Sequence, residues 1–352
     1  MNKESLAQIV RPLLEWYQMN ARSMPWRDDP TPYKVWVSEI MLQQTRVEAG
    51  RDHFLRWIEV LPNVESLANV EDSKLMKLWE GLGYYNRARN LKKAAGVVIE
   101  QYSGKIPDTY EQLLSLPGIG PYTAGAIGSI AFQLPVPAVD GNVLRVIARM
   151  TGDRSDIGSV AVKRSYGECI ASILPACCPG DFNQALMELG ALICIPNGAP
   201  RCSHCPLSGQ CVARQTETTT EIPEKKKKPE RKITERTIFV LKSGTCILLR
   251  KREKKGLLAG QWELPGIDQW LSDAELEPLL ESWGYRIRSV ETLPPARHIF
   301  SHVEWRMKAY KIETEPCFLK EDGALWICVD QERLSREIAL PSAFNAFRPS
   351  IF

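Results

Sequence analysis

Two carboxylates in contrasting local settings are the first residues whose types suggest chemistry. Glu39 lies in Tyr33-Lys34-Val35-Trp36-Val37-Ser38-Glu39-Ile40-Met41-Leu42-Gln43-Gln44-Thr45, a lone acid in an otherwise apolar run of helical spacing. One turn either way puts Val35, Trp36, Leu42 and Gln43 on its face. A carboxylate in such company resists ionising, so its pKa rises, as a general acid requires. Pairing with Lys34 or Arg46 at a solvent rim is the ordinary alternative. Asp140, in Pro137-Ala138-Val139-Asp140-Gly141-Asn142-Val143-Leu144-Arg145, stands where a helix begins and suits an N-cap. Capping and catalysis are compatible if the side chain is turned into a cleft. One acid that donates a proton and one anion that stabilises an oxocarbenium ion match the logic of glycosidic-bond cleavage.

Two further motifs have chemistry of their own. Cys194, Cys202, Cys205 and Cys211 fall within eighteen residues, spaced C-x7-C-x2-C-x5-C. Thiolates select zinc or an iron–sulfur cluster. The paired C-x-x-C layout of zinc ribbons is absent, and one tight loop can wrap a cubane corner by corner, which favours a 4Fe–4S cluster. His204 lies between two of the thiols and is an alternative ligand. The cluster's role is to pin a loop that sets Arg201 and Arg214 against DNA. Cys169, Cys177, Cys178, Cys246, Cys317 and Cys328 read as packed thiols. The second motif is Leu116-Pro117-Gly118-Ile119-Gly120-Pro121-Tyr122-Thr123. Pro117 stops a helix, and Gly118 and Gly120 permit backbone angles closed to other residues. The helix opening at Tyr122-Thr123 offers N–H groups to an anion, so this helix-hairpin-helix suits a DNA phosphate whatever the sequence. A plain turn between helices is the ordinary reading of such a stretch taken alone. Thiol loop and phosphate turn together point to an enzyme acting on DNA.

These groups need scaffolding, and the chain has enough for two domains. It has 352 residues, 44% hydrophobic, with a formal net charge of only +3, so any nucleic-acid footprint is local rather than global. No stretch of about 18 consecutive apolar residues occurs, the N-terminus does not read as a signal peptide, and ten cysteines without one suit thiols kept reduced inside a cell. From Ser5 to about Ile195, apolar residues three and four apart predict helix after helix, with Gly/Pro/Asp punctuation and no strand. Thr216 to Lys232, with a lysine run at Lys225–Lys228, reads as a solvated linker. Beyond it, Thr237–Leu241, Cys246–Arg250, Ile287–Val290, Trp305–Ile312 and Ala324–Val329 predict strands, and Ser272–Trp283 a helix. An all-helical domain is therefore joined to a smaller α+β domain.

Glu39-Ile40-Met41-Leu42-Gln43-Gln44-Thr45, Gly81-Leu82-Gly83-Tyr84-Tyr85, the hairpin, Val139-Asp140-Gly141-Asn142 and the cysteine loop closely resemble the MutY-type adenine DNA glycosylases of the endonuclease III superfamily. The resemblance runs from about Leu13 to Ala213 and resumes weakly beyond. It implies a helix-hairpin-helix core over 1–214, comprising a six-helix barrel at about 26–135 and an iron–sulfur subdomain from the N-terminal segment and about 136–214. A linker over 215–232 and a Nudix-like domain over 233–352 follow. The implied activity is removal of adenine mispaired with 8-oxoguanine or guanine in duplex DNA, by a monomer in the cytoplasm of a bacterium, at the nucleoid while acting.

Carried over by position, the resemblance makes Glu39 the acid that protonates adenine N7. Asp140 stabilises or traps the sugar cation, with Asn142 and Tyr122 orienting both. Arg27 lines the adenine pocket with Leu42, Gln184 faces the base or a water, and Gln44 and Tyr84 are wedges in the base stack. Gly118, Gly120 and Thr123 hold the DNA backbone, and the four cysteines hold a 4Fe–4S cluster. Bifunctional relatives carry a Schiff-base lysine where this chain has Tyr122; a phenol forms no imine, so the expectation is a monofunctional enzyme leaving an abasic site. Lys105 and Lys163 are out of register for that role. The first cysteine spacing is one residue longer than the family's.

In the second domain, Gly256-Leu257-Leu258-Ala259-Gly260-Gln261-Trp262-Glu263-Leu264-Pro265-Gly266 resembles the MutT/Nudix fold without the R-E-x-x-E-E helix that binds magnesium. The domain is therefore expected to read 8-oxoguanine, through Phe300, Ser301 and His302, rather than to hydrolyse nucleotides. Three rivals remain: a bifunctional glycosylase/lyase of the same fold, a nucleotide-pool Nudix hydrolase fused to a DNA-binding iron–sulfur module, and a non-catalytic structural DNA binder in which Glu39 and Asp140 are incidental.

Overall fold

The structure, a computed structural model, describes residues 6–224, 230–315 and 325–351. Two compact units emerge, one made of Met1–Val70 with Arg89–Lys227 and the other of Glu71–Ala88 with Lys228–Phe352. The expected division falls once, at the linker over 215–232; the contacts cut the chain three times, after Val70, Ala88 and Lys227. Glu71–Ala88 joins the C-terminal residues because its polar groups find their partners there. Lys77 Nζ donates to the carbonyls of Leu334 and Ile338 at 3.1 Å each, and Glu80 accepts from the Leu340 amide and the Arg348 guanidinium.

In the first unit the predicted helices form, and no strand occurs among its described residues. The helices that carry the site are α1 (Val10–Asn20), α2 (Pro32–Leu42), α3 (Val47–Val60), α4 (Asn86–Tyr102), α5 (Tyr110–Ser115), α6 (Pro121–Phe132), α7 (Gly141–Thr151), α8 (Val160–Ala171) and α9 (Pro179–Leu192). Local chemistry marks their starts. Pro32 and Thr31 open α2, Thr109 caps α5, Pro121 opens α6 and Asp140 caps α7. Helix α9 is the hub, packing against α1, α6 and α7. One core joins Leu6, Ile9 and Leu13 to Val143, Ile147, Leu186 and Leu189, and extends to Ile222. That last residue corrects the linker reading. Ile222 is buried and its carbonyl accepts from Arg149 Nε at 2.8 Å, so the start of the expected solvated tether is folded onto this unit. The lysine run lies outside the described residues.

The second unit is built on a mixed seven-stranded sheet. Its strands are β1 (Lys232–Ser243), β2 (Cys246–Lys251), β3 (Trp262–Glu263), β4 (Gly266–Ile267), β5 (Ile287–Ile299), β6 (Val303–Thr314) and β7 (Trp326–Val329). The order is β3-β2-β1-β6-β5, with β4 added to β1 and β7 to β2; among the described residues only β1 and β6 run parallel. One face packs on α10 (Asp273–Ser282) through Leu276 and Leu280, the other on Phe344 and Phe347 near the C-terminus. Strand β5 runs nine residues past its predicted end at Val290, through Pro294 and Pro295. It is an edge strand whose register shifts between Leu293 and Ala296, so the prolines forfeit no ladder bond. The two-residue strands β3 and β4 are too short for alternation to announce them.

No helix among the described residues is long and apolar enough to cross a membrane.

Candidate active site

Glu39 and Asp140, a hundred residues apart in sequence, line one open cavity of about 1580 Å³ in the first unit. Glu39 rides the buried face of α2 at 9% exposure, and Asp140 sits at the head of α7. Neither pairs as a rim carboxylate would. Lys34 goes to Asp29 at 2.5 Å instead. Burial pushes the Glu39 carboxyl up to about 7; the Tyr122 hydrogen bond works against this, the Asp140 charge adds to it and the Arg27 charge opposes it. Tyr122 Oη donates to Glu39 Oε2 at 2.5 Å, and Met187 Sδ lies 3.8 Å from the same hydroxyl. Burial and the two nearby acids hold the phenol well above its usual range, so Tyr122 remains a donor.

Asp140 uses both oxygens. Oδ1 accepts from the Val143 amide at 2.8 Å, as an N-cap does, and Oδ2 accepts from Asn142 Nδ2 at 2.7 Å. Burial raises this carboxyl; the Val143 and Asn142 donors and the Arg145 charge oppose the rise. Asn142 is fixed in turn, since its Oδ1 accepts from Arg145 at 2.9 Å. Helix α9 comes close at this point because residue 190 is glycine. A Cβ there would lie 2.6 Å from Asn142 Cβ and 3.1 Å from its Cα.

A polar wall completes the cavity. Arg27 donates to Gln184 Oε1 at 3.1 Å, to the Arg22 carbonyl at 3.1 Å and to Glu188 Oε2 at 2.9 Å. Glu188 also takes Arg22 Nε at 2.6 Å. Burial alone would push this carboxyl up, but the hydrogen bonds and charges of Arg22 and Arg27 prevail and hold it at about 2. Arg22 and Glu188 were missed in the sequence. Glu188 falls four residues after Gln184, one helical turn along α9, and that spacing was the available signal. Leu42, Gln43 and Gln44 line the cavity at the end of α2, with Gln44 in the left-handed region at φ 58°.

The hairpin departs from expectation in two details. Gly118 has φ 78° and a Cβ on it would meet Asn90 Cβ at 2.7 Å, so glycine is required there. Gly120 has an ordinary φ of −100° and needs no special freedom; open space surrounds its Cα, and it begins α6 without a side-chain cap. Thr123 is buried, and its hydroxyl accepts from Gln43 Nε2 at 3.4 Å, so what α6 offers an anion is backbone N–H rather than this side chain.

The four cysteines of the loop line one small cavity with Val146, Met150, Leu189 and Ile193. Burial pushes the Cys205 thiol up to about 12, opposed by a backbone donor at Leu207 and reinforced by Cys194, Cys211 and Cys202. No three His, Cys, Asp or Glu side chains among the described residues are grouped as they would be around one metal ion. Arg149 donates to Cys194 Sγ at 3.2 Å and Arg145 Nε to the Cys194 carbonyl at 2.7 Å. Arg145 therefore ties the thiol loop directly to Asn142 and, through it, to Asp140. These two buried arginines, one turn apart on α7, anchor the loop at Cys194, a role the sequence did not signal.

The remaining expected residues belong to the second unit. Tyr84 is half exposed, in the left-handed region at φ 46°, with its hydroxyl 2.7 Å from Ser301 Oγ. Ser301 and His302 are exposed. Phe300 is turned inward, edge-on to His298 and Trp305 at 4.6 and 4.8 Å, and supports the turn from beneath. Glu263, in the Nudix-like stretch, is buried against Arg236, Arg250 and Arg252 at 3.6, 2.9 and 2.6 Å. On α10, Glu275 is spent on a capping box with Ser272 and Asp273 accepts from Tyr310.

Comparisons with known proteins bear on both units. Residues 37–170 match the family model of the HhH-GPD superfamily base excision DNA repair proteins, and residues 237–347 match that of the NUDIX domain. The chain is 34% identical to an adenine DNA glycosylase of Mus musculus over 90% of its own length and 73% of that protein. The Homo sapiens adenine DNA glycosylase is 33% identical, over 91% of this chain and 70% of that one. Among solved structures, a thermostable thymine-DNA glycosylase superposes with a TM-score of 0.56 at 28% identity, covering 60% of this chain and 98% of that one. A trapped endonuclease III–DNA covalent intermediate gives 0.53 at 22% identity over 62% and 99%, a likeness of fold.

Proposed function

Because the chain belongs to the adenine DNA glycosylases of the HhH-GPD base excision repair superfamily, we propose that it extrudes adenine paired with 8-oxoguanine or guanine from duplex DNA and cleaves its glycosidic bond to leave an abasic site. The observation that carries this reading is the pairing of a buried carboxyl raised to about 7 with a hydrogen-bonded, helix-capping carboxylate on one cavity.

The residues divide the work by their environments. Glu39, half protonated near neutral pH, gives its proton to adenine N7; Tyr122 occupies Oε2 and leaves the other oxygen for transfer. Asp140, pinned by Val143 and Asn142, faces the sugar as positive charge develops there. Arg27 and Gln184, locked by Glu188, line the pocket for the base, with Leu42 beside them. Gln44 and Tyr84 fill the stack when the base leaves it, and Gly118, Gly120 and the first turn of α6 hold a phosphate. Ser301 and His302, with Phe300 beneath them, read the base opposite adenine. Tyr122 at the imine-forming position makes the enzyme monofunctional.

The thiol loop fits an iron–sulfur cluster. Four thiols line one small cavity, and thiolates are the ligands such a cluster takes. Cys194, Cys202, Cys205 and Cys211 would hold a 4Fe–4S group. When bound, it supplies structural cross-linking of the loop that Arg145 connects to Asn142.

The test is single-turnover excision on duplexes bearing adenine opposite 8-oxoguanine, guanine and thymine, followed by alkaline strand cleavage. The expected order has 8-oxoguanine and guanine well above thymine, with no strand break before alkali. Equal rates on all three would reject the mispair reading. Covalent capture with borohydride would reject the monofunctional one.

A further inference from the structure

The loop that presents Tyr84 is conformationally costly. Gly81 and Gly83 have φ of 95° and 66°, and Tyr84 itself, a bulky residue, has φ 46°. A non-glycine residue persists in that region only where its surroundings over-determine it. Here the surroundings centre on one guanidinium. Arg87 Nη2 donates to the Leu82 carbonyl at 2.9 Å and the Gly83 carbonyl at 3.2 Å. Its Cζ lies 5.1 Å from the Trp79 ring centroid and 5.6 Å from that of Tyr84. Trp79, fully buried, reinforces the same turn by donating Nε1 to the Gly83 carbonyl at 2.9 Å.

From this geometry we infer that Arg87 is a positioning residue for Tyr84, holding the exposed ring ready to enter a base stack. The inference rests on the wedge reading of Tyr84 given above. The physical reason is economy of ordering. A side chain that must fill the gap left by an extruded base does so best if its conformational freedom is already lost in the free protein. A guanidinium suits the task because it is planar: it donates in its plane to two carbonyls while its faces meet aromatic rings. Lysine matches the charge and cannot do both. On the other side of Tyr84, the 2.7 Å contact between its hydroxyl and Ser301 Oγ holds the ring's far end, so the aromatic is gripped at both ends.

The full-length protein and its Arg87→Lys, Arg87→Met and Tyr84→Ala variants, with each Arg87 change also made in the Tyr84→Ala background, test this. Single-turnover excision of adenine opposite 8-oxoguanine gives the rate. The fluorescence of 2-aminopurine beside the mispair reports whether an aromatic has entered the stack, a readout that general destabilisation does not move in folded protein. Circular dichroism establishes folding; if Arg87→Met unfolds, Arg87→Lys decides. Expected are a loss of about tenfold in rate and a lost fluorescence change for both Arg87 variants, with the rate effect shrinking to less than about twofold once Tyr84 is alanine. If the Arg87 effect is undiminished without Tyr84, or consists of a salt dependence shallower by about one unit, Arg87 contacts phosphate or merely supports the fold, and the proposal is overturned. If Tyr84→Ala itself leaves rate and fluorescence unchanged, the wedge reading falls and takes this inference with it.

Discussion

At the scale of single residues, the site works by setting one titratable group against its neighbours. In the proposed reaction Glu39 has to be protonated to act, and burial raises it to about 7. Excision should therefore fall as pH rises through about 7, and Glu39→Gln should lose about a thousandfold or more in single-turnover rate at every pH. The same shift bears on stability. The folded value lies above that of the unfolded chain, so native protein keeps a proton the unfolded chain has released, and Glu39 costs stability increasingly as pH rises towards 7. Glu39→Gln should accordingly melt higher than the unaltered protein at pH 8, with the difference vanishing near pH 4, as thermal scans at the two values will show. Tyr122→Phe separates the donor's role from the acid's. Its hydrogen bond lowers the Glu39 pKa, so removing it should carry the alkaline limb of the pH–rate profile to higher pH, while the rate at pH 6 drops less than about tenfold. A limb that stays in place or moves down contradicts that account.

At the scale of elements, accuracy comes from close helix packing. Helix α7 carries Asp140 and Asn142 at its head, and α9 carries Gln184, Met187 and Glu188 along the cavity wall. Their separation is set where Gly190 meets Asn142. Gly190→Ala should cost about 1–3 kcal/mol of stability, the range for overpacking a dense interior, and slow excision further by moving Asn142 off Asp140. Chemical denaturation and single-turnover rates measured together check this. A stable, fully active variant would mean that the two helices part without consequence. Repeating α-helical periodicity foretold these helices, and Asp140 foretold where one begins; Thr31, Thr109 and Pro121 mark the starts of three more in the structure. Which faces would meet, and how near, depends on glycines whose role is invisible until the partner helix is beside them.

At the scale of the whole molecule, the thiol loop and the acids are one construction. Arg145 reaches from Asn142 to the Cys194 carbonyl, and Arg149 reaches from the same helix to Cys194 Sγ. Cys202→Ser should lower the iron and sulfide content of the purified protein and its visible absorbance, and with them excision, while leaving intact the second unit, whose core shares no residue with the loop. Unchanged iron content would show that the loop holds something else. Chain order misleads at this scale. Glu71–Ala88 lies among the helices in sequence yet belongs with the sheet unit, held by Lys77, Glu80 and Arg348.

The local chemistry of this protein follows from its residues in order: a lone acid in an apolar helix, an aspartate before a glycine, two glycines and two prolines around a turn, four closely spaced thiols. Each is a short-range pattern whose physical meaning survives without knowledge of the fold. Tertiary structure alone decided that Glu39 meets Tyr122 rather than Lys34 or Arg46, and that Glu188 gathers Arg22 and Arg27. It also decided that Thr123 turns inward and that Ile222 is core rather than tether. The reason is common to all four. A buried polar group must find a partner, and a buried apolar group must find a cavity of its own size. Which partner and which cavity are properties of elements brought together from distant parts of the chain.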